Sequence, residues 1–392
     1  MKKLSKNISL NALEELVKYS PKEISIPLDK IKQKIFLIPT FLQVIATIDK
    51  NENTQIFFDL CEKDDLRKKV FNETGFSLLT YMWFKGILDT NGKDYRSLLK
   101  TYTTEYYSKL QTKLYAFESN SITISSFDHL PPEKGMDKLF YNLDGSLILD
   151  EELIYHSLSK ILTYVLRFKS EYQITAASLF TKKVANIHVN LSKVIWELFK
   201  NTHEHARTDR YGNPFKRNIR GVHSKFYRMS MKSIENNYTN QSIKSYLLDS
   251  KIYNSNLDYV DVIEISVFDS GPGFINRNSS NHSNDVALTE QVQIIKDCLK
   301  KNKTSVTGVR GQSKGYGLDY VLETLSDFGL LRIRTEEVCI YRNMIIHPYS
   351  KIKEKNEMLI QDWHTGKSES FTKLAKIKGS TVSILYPLSI NE

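Results

Sequence analysis

Residues 258–269 alternate apolar and polar side chains and end on an acid followed by a double-glycine turn, Asp269-Ser-Gly-Pro-Gly-Phe274. A period of two marks a strand with one covered face, here the face of Ile263, Ile265 and Val267. The chain must therefore build a sheet that carries a carboxylate to its end, beside a turn at Gly271 and Gly273 where the backbone can approach a neighbour closely. An acid so placed can accept a hydrogen bond from an exocyclic amine such as that of adenine. The same Asp-Ser-Gly-Pro stretch also serves as an ordinary turn.

Two further segments carry chemistry. In KVIWELFKNTHEHA, Lys193, Glu197, Asn201 and His205 recur every four residues, and Val194, Ile195, Leu198, Phe199 and Thr202 fill the other side. One helix face is therefore polar, which fits either a site or a solvated stripe. Residues 308–318, GVRGQSKGYGL, put four glycines before the periodic helix DYVLETLSDFG. Backbone N–H groups at such a helix start attract anions, and Lys314 and Arg310 can meet phosphate oxygens. A flexible solvent loop has the same composition. A Walker A loop is excluded, because GxxxxGK[ST] is absent.

Around these segments the second half reads as helix 186–206, strands near 219–230 and 258–269, helix 318–328, and strands within 330–341 and 376–387. Polar stretches 232–257 and 345–370 read as long loops or small hairpins. The expected fold is α+β, a two-layer sandwich with helices on one face of a mixed sheet. Ahead of it, EISIPL, KIFLIPTFLQVIATI and QIFFDL read as strand, helix, strand, the opening of a smaller α/β domain. We divide the chain into residues 1–150, regulatory or for assembly, and 151–392. The periodic helix 151–168 joins the halves or offers a dimer surface.

Composition adds bounds. The 392 residues, 41% of them hydrophobic, suffice for two cores. No stretch approaches the roughly 20 apolar residues of a membrane span, and the N-terminus lacks a secretory h-region, so a cytoplasmic address without membrane contact is expected. Cys61, Cys298 and Cys339 show no metal-ligand spacing and read as reduced thiols. The net charge of +10 would suit a phosphate-bearing partner. It concentrates in 207–232, where eight basic residues face one acid and nucleic-acid contact is conceivable, provided its aromatic residues are exposed for stacking.

The order of these pieces resembles the GHKL superfamily of histidine-kinase-like ATPases, whose nucleotide domain is the Bergerat fold. Glu-x-x-x-Asn with a trailing His-Ala looks like its N box, Asp-x-Gly-x-Gly and Gly-x-Gly-Leu look like its two glycine boxes, and Gly379-Ser-Thr-Val-Ser-Ile-Leu-Tyr-Pro387 looks like its last strand. The resemblance spans about residues 185–388. It implies ATP and Mg²⁺ as cofactors. Asp269 would read adenine, Gly271 and Gly273 would pass the base, Asn201 would hold Mg²⁺, and His205 would join the cofactor-binding residues. Lys314, Gly315, Gly317 and Leu318 would form the lid, and Ser380 or Thr381 would supply a hydroxyl near adenine. Glu197 stands where hydrolytic members keep a general base. Gyrase-type and MutL-type clamps deliver a lysine from a following transducer domain, and with the sequence running only a few residues past the last strand a clamp of that kind is not expected. His156 lacks the acidic neighbour of a kinase phosphoacceptor.

Three functions follow from the resemblance. The first is an ATPase whose nucleotide state regulates another protein or its own homodimer. The second is an anti-sigma-type serine or histidine kinase, and the third a nucleotide-gated nucleic-acid-binding module. The N-terminal strand–helix–strand resembles the STAS-like domains that accompany some bacterial regulatory ATPases.

Overall fold

The computed structural model describes residues 1–5, 7–27, 31, 34–49, 54–58, 88–89, 91–101, 104, 120–167, 177–209, 211–278, 286–300, 317–349 and 358–388. The N-terminal part holds α1 (Leu10–Tyr19) and α2 (Leu37–Asp49) with strands β1 (Lys2–Lys3), β2 (Glu23–Ile26), β3 (Gln55–Phe58) and β4 (Leu88–Asp89). These strands form a parallel sheet in the order β1-β2-β3-β4, so the expected strand–helix–strand is present as β2, α2 and β3. Parallel neighbours require a crossover, and α2 is that crossover.

The remaining strands are β5 (Ser121–Ser126), β6 (Arg220–Met229), β7 (Val260–Asp269), β8 (Leu330–Glu336), β9 (Val338–Asn343), β10 (Gln361–Asp362) and β11 (Ile377–Pro387). They make a seven-stranded sheet in the order β10-β9-β8-β11-β7-β6-β5. Every described pair is antiparallel, which corrects the expected mixed sheet. The reason lies in the connections. Glu337 alone joins β8 to β9, and the excursion after Met229 returns to the same end of the sheet to begin β7. The boundary placed at residue 150 is crossed by β5, which pairs with β6 through Ser121↔Lys225 to Ser126↔Arg220.

The helices in chain order after α2 are α3 (Pro132–Gly135), α4 (Glu151–Arg167), α5 (Ala177–His205), α6 (Met231–Asn237), α7 (Gln241–Leu247), α8 (Gly273–Asn278), α9 (Leu288–Cys298) and α10 (Gly317–Leu325). The stretch expected to be loop or hairpin at 232–257 thus contains two helices. Each has a side-chain cap, Ser230 accepting from the Ser233 N–H and Asn240 from the Ile243 N–H, and each buries apolar residues such as Ile234 and Tyr246.

Alternation on β7 separates the two faces of the large sheet. Asp261, Ile263, Ile265, Val267 and Asp269 share one face, which α5 covers with α4 and α10 beside it. Glu264, Ser266 and Phe268 share the other, which α2 covers: the Phe36 N–H donates to Glu264 at 3.0 Å, and Gln43 bonds to Thr381. A helix of the N-terminal part thus lies on the second face of the large sheet. The sequence LIPTFLQVIATID explains this, since a helix apolar all round is stable only when buried all round. Twelve of its 13 residues are buried. Among the described residues no helix is long and apolar enough to cross a membrane. Cys298 and Cys339 are free thiols, both raised by burial, to about 12 and about 11; Cys61 lies outside the described residues.

Candidate functional site

Asp269 ends β7 opposite Arg220 of β6, the residue 7% exposed. The carboxylate accepts the Gly271 N–H at 2.8 Å, and the Ser380 backbone N–H faces it and also lowers its pKa. Burial pushes its pKa up to about 6, and the two N–H donors with the charges of Arg220 and Lys378 keep it from rising further.

The turn that follows is packed hard on both sides. A Cβ at Gly271 would lie 2.6 Å from the Cα and Cβ of Ala206, at the end of α5. Gly273 has φ +80°, and a Cβ there would lie 2.9 Å from Thr335 Oγ1. Both glycines are thus required by their protein neighbours, whatever a ligand asks of them. Polar bonds tie the same junction. Ser270 Oγ donates to Asn218 Oδ1 at 2.7 Å, and Asn218 Nδ2 donates to the Ala206 carbonyl at 2.9 Å and to Asp128 at 2.7 Å. The end of α5 is therefore held against the residue next to Asp269.

On α5 the sequence pattern reappears as burial. Leu191, Val194, Ile195, Leu198 and Phe199 are buried, and Lys193, Glu197, Asn201 and His205 are half-buried along one stripe. Burial raises the Glu197 carboxyl above the usual glutamate range, Lys200 opposes that, and Glu151 and Glu204 add to it. Lys200 is paired with Glu151 at 3.2 Å, and Trp196 Nε1 donates to the same carboxylate. Among the described residues the Asn201 amide makes no hydrogen bond, although it sits one turn beyond Glu197 on the same stripe. The His205 ring lies 3.9 Å from Glu204 at the helix end.

The two candidate hydroxyls of β11 separate by strand alternation. Ser380 lies on the Asp269 side, 3.2 Å from Thr335 Oγ1, which itself donates to the Gly379 carbonyl. Thr381 turns to the other face and donates to Gln43 Oε1 at 2.8 Å, so of the pair only Ser380 can serve the site. Gly317 begins α10, Leu318 is partly buried against the core, and Tyr320 bonds to Asn190 of α5 at 3.4 Å. Lys314 and Gly315, with the rest of the glycine-rich stretch 308–316, lie outside the described residues.

In the basic stretch 207–232 the aromatic residues divide: Tyr211 is exposed and Phe215 partly so, whereas Phe226 and Tyr227 are buried. Arg220 is fully buried and pairs with Asp128 at 2.6 Å; Arg207 meets Asp128, Arg217 meets Asp49 and Arg228 meets Asp261. Half of the eight bases thus neutralise specific carboxylates. The sequence reading missed Asp128, Asn218 and the inward role of Arg220, whose guanidinium also lies 5.5 Å over the Phe199 ring and 5.7 Å over that of Tyr141. Arg220 stands on the inward period of β6, which was the available signal. Asp128 in FDHLPP carried none, because its partner is 92 positions away.

The site thus belongs to a mixed α+β protein in which the turn after a buried strand-end acid packs against the end of a long helix. No protein-family model matches the chain, and no curated protein or solved structure matches it.

Proposed function

We propose that this protein binds Mg-ATP in a Bergerat-type site and hydrolyses it, its nucleotide state governing another protein or its own assembly. The observation that carries this reading is Asp269, a carboxylate buried at a strand end, held by two backbone N–H groups and packed against the end of the helix that bears Glu197, Asn201 and His205. Those two donors occupy part of the roughly four lone-pair positions of a carboxylate, and the remainder suits an adenine amine. Ser380 would add a hydroxyl on the same side. Asn201 fits a hard cation shared with phosphate oxygens and water. Among the described residues no group of three His, Cys, Asp or Glu side chains is placed to hold a metal, so the phosphates would complete its shell. Bound Mg-ATP supplies an electrophilic γ-phosphoryl group. Glu197, one turn before Asn201 and raised in pKa by burial, would accept the proton of the attacking water. Lys314 and Gly315 enter only through the resemblance, as the lid that precedes Gly317 and Leu318.

The test is calorimetry of ATP with wild type and Asp269→Asn. The substitution turns an acceptor into an amide able to face the adenine amine with a donor, which costs roughly 1–3 kcal/mol for a mispaired buried group, or about 5- to 150-fold in affinity. Equal affinities would remove the assignment. Phosphotransfer to a protein hydroxyl is the second reading, since Glu197 could serve that acceptor equally well. The nucleic-acid module is disfavoured by the ion pairs of Arg207, Arg217, Arg220 and Arg228.

A further inference from the structure

The short segment Gly379-Ser380 touches Asp269 from β11. Gly379 has φ +73° and lies so close that a Cβ there would collide with the Asp269 carbonyl, and the Ser380 N–H reaches the carboxylate. The residues on either side of this pair are both bonded to α2. The Lys378 N–H donates to Thr47 Oγ1 at 2.9 Å, and Thr381 Oγ1 donates to Gln43 Oε1 at 2.8 Å. The Thr47 hydroxyl in turn donates to the Gln43 carbonyl at 2.8 Å, which fixes its lone pairs toward Lys378. Gln43 Nε2 donates to the Arg334 carbonyl on β8, so one helical turn of α2 spans two adjacent strands. Further ties hold α2 and α1 to the sheet: Asp49 pairs with Arg217 at 2.6 Å, and Glu14 pairs with Arg334 through two bonds of 2.8 Å.

We propose that Gln43 and Thr47 are positioning residues for the candidate nucleotide site, setting through Lys378 and Thr381 the placement of Gly379-Ser380 against Asp269. This deepens the ATP reading and rests on it for its functional meaning. The physical argument is that a segment between two fixed residues has little freedom. Six backbone torsions separate the Cα atoms of the anchors Lys378 and Thr381, whereas a strand bonded only to its neighbours can shift along its register. Movement of α2 within the N-terminal α/β unit would therefore change the donors offered to Asp269. The charged groups that act on that carboxylate are Arg220 on β6 and Lys378 on β11; Asp49 of α2 is engaged by Arg217.

The experiment follows the side-chain carbon-13 signal of Asp269 through a pH titration of the full chain without nucleotide, assigned by its loss in Asp269→Asn. Thr47→Val keeps the shape and removes the hydroxyl, so the Ser380 donor loosens and the Asp269 midpoint moves upward; Thr47→Ser restores it. ATP affinity of Thr47→Val falls about 5- to 10-fold, the loss expected for one hydrogen bond. If Thr47→Val fails to fold, Thr381→Val breaks the clamp from the sheet side and is titrated instead. A folded variant with an unmoved midpoint overturns the proposal. Wild type that fails to bind ATP removes the nucleotide reading and leaves the titration to decide the clamp by itself.

Discussion

At Gly379 the requirement for glycine is double, because a side chain would both force φ +73° on an L-residue and enter the Asp269 carbonyl. Gly379→Ala should therefore lower stability by roughly 2–4 kcal/mol, the sum of left-handed strain and overpacking, read as a lower urea midpoint. Asp269 makes an opposite-sounding prediction about pH. Its folded pKa, about 6, lies above the unfolded value near 3.8, so protons bind the native state more strongly. Below the unfolded pKa the neutral carboxyl costs nothing, and stability is lost as pH rises through about 6, on the order of 3 kcal/mol in all. His129 and His203, both held near 4 chiefly by burial, push the other way, since their neutral folded forms favour higher pH. The difference in stability between wild type and Asp269→Asn isolates the acid. It should shrink steadily from pH 4 to pH 7, and a flat difference would mean that Asp269 is not the buried titrating group described here. ATP affinity should run the other way, rising with pH as the accepting carboxylate forms.

At the scale of elements, α5 is the helix whose pattern was most legible. Its stripe of Lys193, Glu197, Asn201 and His205 is half-buried, as a period near 3.6 requires, because packing on the sheet leaves one line of positions at the margin. Removing side chains from that line should cost function and little stability. Asn201→Ala should keep the wild-type melting temperature while losing the Mg²⁺-dependent part of ATP affinity; a mutant that melts markedly earlier would make Asn201 structural. Glu197→Ala should bind ATP nearly as wild type and turn it over about 10²–10⁴ times more slowly. The helix α2 was legible as a helix but not as the cover of the large sheet. An all-apolar helix announces burial, yet nothing in its own residues says which sheet it is buried against. The short helices α6 and α7 were missed because polar sequence outweighed their caps at Ser230 and Asn240.

For the whole molecule, the proposed ATP reading turns on where the γ-phosphate goes. Wild type incubated with γ-labelled ATP and no partner should release free phosphate; label passing to a second protein with negligible free phosphate would favour the kinase over the ATPase. Neither outcome depends on the N-terminal unit being catalytic; it is tied to β8 and β11 through Glu14, Gln43 and Thr47, and Gln43 and Thr47 are the pair proposed to position the candidate site. By itself the sequence determined the local structure: the strand ending at Asp269, the striped helix before it, the parallel opening of β2, α2 and β3, and the closing strand from Ile377 to Pro387. Periodicity and glycine placement are short-range signals, readable within about a dozen residues. Only the tertiary structure decided that every described pairing in the large sheet is antiparallel, that β5 is its edge, that Ser380 and not Thr381 faces Asp269, and that Arg220 is buried against Asp128. Those outcomes depend on which distant segments meet, Asp128 with Arg220 across 92 positions and Gln43 with Thr381 across 338, and no local pattern encodes a partner that far away.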